Sequence, residues 1–425
     1  MIVTIEKIVY PGRRLGYAEG ATVFTDEGLP GERVEVEPIR KKKNHVEART
    51  TKVLAESPER VRPRCGHYLA CSAYQSMAYD AQIAVKTEQL RDILAGLWDF
   101  EKKGLDFVAS PRTWHYRNRV RLRLLWNDGR AQWAYHHPGS EREFIAIDQC
   151  YLISEPIMRM LDALLGIINE KNLQTLFEVE ARESRSSPGV LLNLHRTDDP
   201  GVNPVDPIIT GLDPHFSLAG IVSIQKSKSG FKERLEWGRN YIEEKIGSSI
   251  YMVGARSFFQ VNAEMLERVI EDMKALAFGD RGGRLADLYC GLGTFGIALA
   301  REGGEVYGVE SEPDNIVFLK RNIERNRLTH FQICEGKSED WAPSILAKKM
   351  DAVVCDPPRK GLGAEIVRSL LQHRPRNIIY LSCNPATLAR DLKALRPEYE
   401  IKALRAYDFF PHTPHIETLA ILSIR

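Results

Sequence analysis

The stretch LADLYCGLGT, residues 285–294, decides how the C-terminal part of this chain folds. A short apolar strand runs into a tight turn that holds Gly291 and Gly293, and a helical pattern starts at Thr294. The next predicted strand, EVYGVE, ends in Glu310, at the spacing of about 20 residues that separates a glycine turn from a ribose-binding acid. This arrangement predicts a nucleotide-type βαβ unit.

Strands and helices alternate regularly around this turn, from residue 255 to the C-terminus. The other predicted strands are DAVVCD (351–356), NIIYLSC (377–383) and ETLAILSIR (417–425), and the predicted helices are TFGIALARE (294–302) and PDNIVFLKRNIERN (313–326). Such alternation indicates a mainly parallel, doubly wound sheet whose ligands bind at the carboxyl ends of its strands. Residues 255–425 are therefore predicted to form a Rossmann-like domain.

Residues 1–57 have a different pattern. Apolar and polar residues alternate between Gly/Pro turns, as in VTIEKIVYPG (residues 3–12). Five short strands are predicted, which suits an OB-like β-barrel. The run Arg40-Lys41-Lys42-Lys43 would give this barrel a positive face for nucleic acid. The plainer alternative is a solvated hairpin tip.

Residues 58–254 form a third segment, which begins in the Pro- and Arg-rich sequence SPERVRPRCGHY (57–68). Helical spacing of apolar residues predicts an amphipathic helix from Ser76 to Trp98. Strand-like pieces at 116–126, 130–137, 189–195 and 221–227 surround a helix predicted near residues 155–171. An α+β central domain is expected. The predicted fold class is thus multidomain α/β.

Every second residue from Arg117 to Arg123 is an arginine. In a strand these four side chains would share one face and could follow the phosphates of a nucleic acid; a solvated strand face is the alternative. Four aromatic residues nearby would either stack on bases or pack in the core: Trp114, Trp126, Trp133 and Tyr135.

The composition is that of an ordinary soluble protein. Of the 425 residues 43% are hydrophobic and 27% are charged, and the net charge is only +2, so the placement of basic residues matters more than their number. No apolar run approaches the roughly 20 residues of a membrane helix, and the N-terminus lacks the features of a secretion signal. A cytoplasmic monomer with reduced cysteines and no membrane contact is expected.

The glycine turn differs from a dinucleotide site in two ways. It lacks the third glycine of G-x-G-x-x-G, the motif that rests a pyrophosphate on a helix N-terminus, and it carries an acid, Asp287. An acidic pocket suits a nucleoside with a cationic sulfonium and an amino-acid tail, whose ammonium Asp287 would meet. S-adenosylmethionine is therefore the expected cofactor; a different nucleotide, or a domain that binds none, stays open.

Three further motifs follow or begin predicted strands: DPPR (356–359), SCNP (382–385) and HIET (415–418). They would converge on the cofactor from distant parts of the sequence, as an active site requires. A thiolate at Cys383 would add to C6 of a uracil so that C5 attacks the sulfonium methyl, and Glu417 would remove the C5 proton. The alternatives are a buried, inert Cys383 and a solvated Glu417.

These motifs, together with FFQVN at residues 258–262, resemble those of the RNA 5-methyluridine (uracil-C5) methyltransferases, over essentially the whole chain. The resemblance implies that four residues line the cofactor and uracil pocket, Gln260, Tyr289, Glu310 and Asp356. It further implies that Cys383 is the nucleophile and Glu417 the base. A base flipped into the pocket would be supported by Phe258 or Phe259.

The same resemblance implies an RNA-binding TRAM domain at residues 1–57, RNA contacts from the central domain, and a methyltransferase domain at 255–425. It favours ribosomal RNA over transfer RNA as the substrate. Many members also hold a [4Fe-4S] cluster on four cysteines, three of them spaced C-x5-C-x2-C.

The cluster motif is incomplete in this chain. Cys65 and Cys71 fit its first two positions and Cys150 resembles the fourth ligand, but the third position is Tyr74. Because such clusters use four thiolates, the sequence leaves either a cluster with an unusual fourth ligand, such as His67 or Tyr74, or no cluster.

Three other functions compete with uracil methylation. An RNA cytosine-5 methyltransferase uses the same thiolate chemistry, but enzymes of that kind carry a cysteine where this chain has Arg359. Amino-group methylation would favour an aromatic residue at that same position. An inactive RNA-binding protein with a methyltransferase fold is the alternative outside enzymes, and the presence of both Cys383 and Glu417 argues against it.

Overall fold

The structure is a computed structural model of the 425-residue chain. It describes residues 1–137, 142–197, 204–212, 215–227, 230–277, 283–300 and 304–425. Among these residues no helix is both long and apolar enough to cross a membrane. The last two residues of the helix predicted at 294–302 lie outside the described part of the chain.

The N-terminal residues form a closed barrel with the strand order β1-β2-β3-β5-β4. Its strands are β1 (Ile2–Val9), β2 (Arg13–Ala18), β3 (Ala21–Thr25), β4 (Arg33–Lys41) and β5 (Val46–Ala55). Alternate apolar side chains such as Val3, Ile5 and Val34 point inward and are fully buried, as a period of two along each strand requires. The predicted small barrel is confirmed.

A seven-stranded sheet dominates the middle of the chain, in the order β13-β12-β11-β10-β7-β8-β9. The elements from residue 56 to residue 197 are α1 (Tyr68–Cys71), α2 (Tyr79–Ile93), α3 (Phe100–Lys103), β6 (Asp106–Val108), β7 (Arg119–Asn127), β8 (Arg130–His136), β9 (Phe144–Ala146), α4 (Glu155–Glu170), β10 (Leu176–Glu183) and β11 (Val190–Arg196). Those that follow are α5 (Val205–Leu212), β12 (Leu218–Ser227), β13 (Gly230–Gly238), β14 (Tyr241–Ile246) and β15 (Ser249–Gly254). Helix α4 packs its apolar stripe on this sheet and buries Leu161 and Leu164. The helices predicted at 76–98 and 155–171 are confirmed, the first with shorter ends.

The remaining elements, together with β6, build an eight-stranded sheet in the order β18-β17-β16-β19-β20-β22-β21-β6. They are α6 (Ala263–Ala277), β16 (Arg284–Asp287), α7 (Thr294–Leu299), β17 (Glu305–Glu310), α8 (Pro313–Arg325), β18 (Phe331–Glu335), α9 (Ser338–Leu346), β19 (Ala352–Cys355), α10 (Gly363–His373), β20 (Asn377–Ser382), α11 (Pro385–Leu395), β21 (Tyr399–Tyr407) and β22 (Glu417–Ile424). The strands from β16 to β20 pair in parallel, and β22 runs antiparallel to both of its neighbours. The predicted multidomain α/β fold with a Rossmann-like sheet is confirmed.

The order of this sheet places a ligand crevice beside β16. The chain leaves β16 for β17 and β18 on one side, and then returns to β19 on the other side. In such sheets ligands bind at the carboxyl ends of the strands, where the direction of winding reverses. The glycine turn follows β16 and the DPPR motif follows β19, so both lie at this crevice.

The arginines of β7 do share one face, as predicted, but they have acidic partners. Arg119 binds Glu180 through two hydrogen bonds of 2.8 and 2.9 Å, and Arg121 and Arg123 both pair with Glu178. The two glutamates lie on the neighbouring strand β10. This face is therefore largely neutralised within the protein.

Candidate active site

A cavity of about 740 Å³ opens at the carboxyl ends of the parallel strands. All six residues predicted from the motifs as catalytic or cofactor-binding line it: Gln260, Tyr289, Glu310, Asp356, Cys383 and Glu417. They come from six different segments of the chain. The structure therefore brings these six residues together. Asp287, which the sequence also assigned to the cofactor, is completely buried and is not among the residues that line the cavity.

The strand ends that carry the DPPR and SCNP motifs are fixed to each other. The Asn384 side chain donates a hydrogen bond of 2.9 Å to the backbone oxygen of Arg359. Its Oδ1 accepts from the backbone N–H of Ala386 and so caps helix α11. Cys383 is therefore presented from a turn that is tied both to the neighbouring motif and to a helix start.

A third wall of the cavity is the loop that contains Gln260, and the central sheet holds it in place. The Asn193 side chain donates to the backbone oxygen of Ala255, at 2.7 Å, and Arg182 donates to that of Ser257, at 2.6 Å. Asn193 and Arg182 are both buried. The substrate cavity thus depends on the central sheet as well as on the Rossmann-like sheet.

At the end of the cavity expected to bind the cofactor, the acidic residue Glu310 and the backbone of Gly291 form the lining. Gly291 has φ +56°, and a Cβ added there would meet nothing within 4 Å, so its surroundings are open to a ligand. The Glu310 carboxylate is fixed because its Oε1 accepts from the backbone N–H groups of Ser311 and Glu312, both at 2.7 Å. Asn315, at the start of α8, also lines this end.

Asp287 lies beneath the glycine turn and is completely buried. Its Oδ2 accepts from the backbone N–H of Gly296, at 2.8 Å, while its Oδ1 has no hydrogen-bond partner among the described residues. Burial raises the pKa of Asp287 to about 7. A nearby cation would favour the ionised form of this carboxyl, which suits a positively charged ligand.

The surroundings of Cys383 and Glu417 raise the pKa of both groups. Burial, followed by the negative charges of Glu417 and Asp356, raises the pKa of the Cys383 thiol to about 11, against an opposing effect of Arg359. Burial and then Asp356 raise the pKa of Glu417 well above its usual range. The Glu417 Oε2 is buried without a hydrogen-bond partner in the described structure. A buried carboxyl with a raised pKa has the proton affinity of a general base.

Several lining residues were not assigned to the pocket from the sequence. Asn315 and Phe410 line the cavity without belonging to any motif, and Arg117 lines it although the sequence placed it among arginines expected to follow phosphates. His415 belongs to the HIET motif, and its Nδ1 lies 3.5 Å from the Arg359 guanidinium. Burial and the charge of Arg359 lower the pKa of His415 to about 4, so its ring is neutral. Only the position of these residues next to motif residues could have indicated that they line the cavity.

The aromatic residues separate into two groups. Phe258 lines the cavity and is 63% exposed, which leaves its ring available to a base. Trp126 and Trp133 instead donate to backbone oxygens of the central domain, and Trp114 stacks on His412 with ring centres 3.7 Å apart. The core-packing interpretation holds for the tryptophans.

The three candidate cluster cysteines lie near one another, but Tyr74, which occupies the position of the missing cysteine, has another partner. Cys65 and Cys71 each have a pKa raised by burial and, to a lesser degree, by Cys150. Tyr74 is fully buried, and its hydroxyl accepts from Gln89 Nε2 at 3.0 Å. No group of three or more His, Cys, Asp or Glu side chains in the described ranges is arranged to hold a metal ion.

The whole chain is similar to known RNA methyltransferases. Residues 78–425 match the family model described as tRNA (Uracil-5-)-methyltransferase. The uncharacterized RNA methyltransferase BH0687 of Halalkalibacterium halodurans is 32% identical over 445 residues, a match that covers 100% of this chain and 96% of that protein. An uncharacterized RNA methyltransferase of Clostridium tetani is 29% identical, with coverage of 98% and 96%.

A solved structure extends this similarity to three dimensions. It is the crystal structure of Pyrococcus abyssi tRNA (uracil-54, C5)-methyltransferase in complex with S-adenosyl-L-homocysteine, with a TM-score of 0.79 and 28% sequence identity. The superposition covers 99% of this chain and 100% of that one.

Proposed function

Because the chain belongs to the tRNA (uracil-5-)-methyltransferase family, we propose that it methylates carbon 5 of a specific uridine in RNA through a covalent bond between Cys383 and carbon 6 of the base. One observation carries the proposal: Cys383 and Glu417 line the same cavity as the residues at the cofactor end. A nucleophile and a base beside a methyl-donor site are what this reaction needs.

The residues at the glycine turn fit S-adenosylmethionine. Gly291 lets the backbone approach the ligand, and Glu310 is a fixed acceptor for ribose hydroxyls. Asp287 and Asp356 both have a pKa raised by burial to about 7, and a cationic ligand would favour their ionised forms. When bound, S-adenosylmethionine supplies an electrophilic methyl group on a positively charged sulfur.

Cys383 begins the reaction as a nucleophile. Its thiol releases its proton to solvent, and the sulfur forms a bond to C6 of the uracil while the C5–C6 π electrons move to C5 and O4. The enolate carbon C5 then takes the methyl group as the bond between that methyl and the donor's sulfur breaks, which leaves S-adenosylhomocysteine. A free uracil cannot do this because its C5 is a poor nucleophile. Covalent catalysis of this kind replaces one difficult step by two easier ones.

Glu417 completes the reaction as a base. Its carboxylate takes the proton from C5, the C5–C6 double bond forms again, and the C6–S bond breaks to release Cys383. Burial and the absence of a hydrogen-bond partner on Oε2 in the described structure support this role, because both increase the proton affinity of the carboxylate.

The RNA is proposed to lie across all three parts of the chain. We divide it into a TRAM-like barrel at residues 1–57, a central domain at 58–254 and a methyltransferase domain at 255–425. Arg40, Lys41 and Lys43 are exposed at the end of β4 and beyond it, where they offer positive charge to phosphates. Exposed Phe258 would support the flipped base. The protein is proposed to act as a monomer.

An iron–sulfur cluster does not enter this proposal. Such a cluster needs four ligands, and the chain places only Cys65, Cys71 and Cys150 at the corresponding positions. The third position of the motif is Tyr74, whose hydroxyl accepts from Gln89. No group of three or more His, Cys, Asp or Glu side chains among the described residues, His67 included, is arranged to hold a metal ion. The residues present therefore do not fit the cluster, and the reaction above does not use one.

The test is to incubate the protein with methyl-labelled S-adenosylmethionine and RNA from cells that lack such enzymes, and to identify the labelled nucleoside. Ribosomal and transfer RNA are presented separately, because the sequence resemblance favours the first and the Pyrococcus abyssi neighbour is described for the second. We expect label in 5-methyluridine, and none with Cys383→Ala.

The matched control is Cys355→Ala, which removes a fully buried thiol at the end of β19 and should leave the labelled product unchanged. Label in 5-methylcytidine would move the protein to the cytosine-5 methyltransferases. Cofactor binding without any labelled nucleoside would favour the inactive RNA-binding alternative.

A further inference from the structure

The N-terminal barrel touches the loop that leads into Glu417. The turn between β1 and β2, Tyr10–Gly12, is called the barrel turn here, and residues 408–416 are called the β21–β22 loop. Tyr10 packs against the apolar cluster that contains Ile416, and Gly12 lies against Pro414. The barrel therefore contacts the loop whose Phe410 and His415 line the active-site cavity.

The contact at Gly12 has no spare room. A Cβ added to Gly12 would lie 2.8 Å from Cβ and 3.2 Å from Cγ of Pro414, and the glycine itself has φ +96°. Contacts under 3.0 Å between carbon atoms essentially do not occur, so any side chain here would have to push Pro414 away. Only glycine allows the backbone of the barrel turn and the Pro414 ring to approach this closely.

Further hydrogen bonds lock the barrel turn to the same loop through Tyr74. Arg14 is 2% exposed and donates to the backbone oxygens of Gly12, at 2.6 Å, and Ala73, at 2.7 Å. The next backbone N–H, that of Tyr74, donates to the oxygen of His412, at 3.0 Å. Gly12, Tyr74 and the β21–β22 loop thus form one packed junction.

The β21–β22 loop is also held at His412 by helix α2. His412 has φ +66°, and the buried Gln82 side chain binds both its ring and its backbone, at 3.0 and 2.9 Å. Within the loop the His415 N–H donates to the Thr413 hydroxyl at 3.4 Å. A push on Pro414 cannot be absorbed at His412 and would pass toward His415 and Glu417.

We propose that the barrel turn is a positioning element of the active site, in which Gly12 and Tyr10 hold the β21–β22 loop so that Glu417 faces the uracil bound to Cys383. The inference rests on the proposed function above. It gives the barrel a second role besides RNA contact: without its turn in place, the base that completes methylation is displaced.

The charges around Tyr10 agree with this placement. Its pKa is raised by burial, and Arg359, Cys383 and Glu417 all act on it electrostatically. The barrel turn is therefore close enough to Cys383 and Glu417 to interact with them electrostatically, although more than 370 residues separate it from them in the sequence.

The test compares Gly12→Ala with Gly20→Ala. Gly20 lies in the turn between β2 and β3 of the same barrel, has φ +76°, and a Cβ added there would meet nothing within 4 Å. Both variants carry the same kind of backbone strain, but only Gly12→Ala pushes on Pro414. Turnover, the dissociation constants for RNA and S-adenosylmethionine, melting temperature and the fraction of SDS-stable enzyme–RNA complex are measured for each.

We expect Gly12→Ala to lower kcat by about tenfold to a hundredfold, the effect of displacing a reacting group by about 1 Å, with both dissociation constants unchanged. Because proton removal by Glu417 slows while addition by Cys383 continues, the SDS-stable complex should accumulate. Gly20→Ala should behave like the wild type.

Equal turnover of Gly12→Ala and Gly20→Ala would overturn the inference. If Gly12→Ala melts the barrel, Tyr10→Ala replaces it, with the same loss of kcat and the same accumulation expected; a fully active Tyr10→Ala would contradict the role. Absence of methylation by the wild type would instead reject the proposed function, so the two failures are distinguishable.

Discussion

At the scale of single residues, the site disfavours the reactive form of its own nucleophile. Burial and two acidic neighbours raise the pKa of Cys383 to about 11, and Arg359 is the cation that opposes them. The thiol is therefore protonated at neutral pH until a bound cation or a rise in pH favours the thiolate. The same environment increases the proton affinity of Glu417. The same buried surroundings thus raise the pKa of both the nucleophile Cys383 and the base Glu417.

The pH dependence of the covalent step follows from this shift. Because the pKa of Cys383 is raised, the thiolate fraction in the free enzyme should increase about tenfold for each pH unit between 7 and 10, and the rate of adduct formation should increase with it. Arg359→Gln removes the opposing cation, so its profile should lie at higher pH, with a rate at pH 7.5 lower by about tenfold. Single-turnover rates against pH measure both effects.

Lys360→Gln is the control for this profile, because Lys360 is the next residue, is 71% exposed and pairs with Glu339. Its profile should match that of the wild type. An unshifted profile for Arg359→Gln, or an equal shift for Lys360→Gln, would contradict the proposed role of Arg359.

The sequence predicted which motif residues lie at the cavity, but it gave no sign of the residues there that belong to no motif. Cys383 and Glu417 stand in short sequences whose chemistry can be derived from residue types at strand ends. Tyr10 and Gly12 stand in an ordinary turn of the barrel, and only folding brings them to Pro414. Asn315 lies at the start of a helix, where an asparagine has many other uses.

At the scale of elements, a buried ion pair ties helix α2 to the end of β21. Lys86 and Asp408 are both fully buried, with Nζ and Oδ1 2.7 Å apart. Lys86 also donates to the backbone oxygen of Phe410, at 3.4 Å, within the β21–β22 loop. Helix α2 therefore also supports the β21–β22 loop.

Lys86→Met should lower the free energy of unfolding by about 3–5 kcal/mol, because it leaves the Asp408 carboxylate buried without its partner. Lys7→Met is the matched control: Lys7 and Asp92 are also 2.8 Å apart but are 40% and 51% exposed, and an exposed pair contributes under about 1 kcal/mol. Urea titration measures both. A double variant, Lys86→Met with Asp408→Leu, should recover most of the loss. Equal effects of Lys86→Met and Lys7→Met would show that this pair does not stabilise the junction.

Long elements followed from sequence periodicity, and short ones did not. Apolar spacing predicted α2 from Ser76 to Trp98, and the helix occupies Tyr79–Ile93 because the chain turns away at Gly96, with φ +75°. Strand β6 has three residues and joins the large sheet only by pairing with β21. So short a segment has no period of its own, so its place depends on tertiary contact.

At the scale of the whole molecule, the barrel, the central α+β part and the Rossmann-like sheet were predictable from the sequence. The contacts between these three parts were not. The alternating arginines of β7 indicated a phosphate-binding face, yet Glu178 and Glu180 neutralise it from a strand more than 50 residues away. The cavity likewise needs the central sheet behind Gln260 and the barrel turn against Pro414. Contacts between segments so distant leave no local pattern in the sequence.

The most direct measurement is mass spectrometry of the protein after reaction with S-adenosylmethionine and substrate RNA that contains 5-fluorouridine. Fluorine takes the place of the C5 proton that Glu417 removes, so the adduct cannot break down once C5 is methylated. The account predicts a stable complex in which the peptide containing Cys383 carries a methylated fluorouridine through C6, and no complex with Cys383→Ala. Methylation without any adduct, or an adduct on another residue, would contradict it.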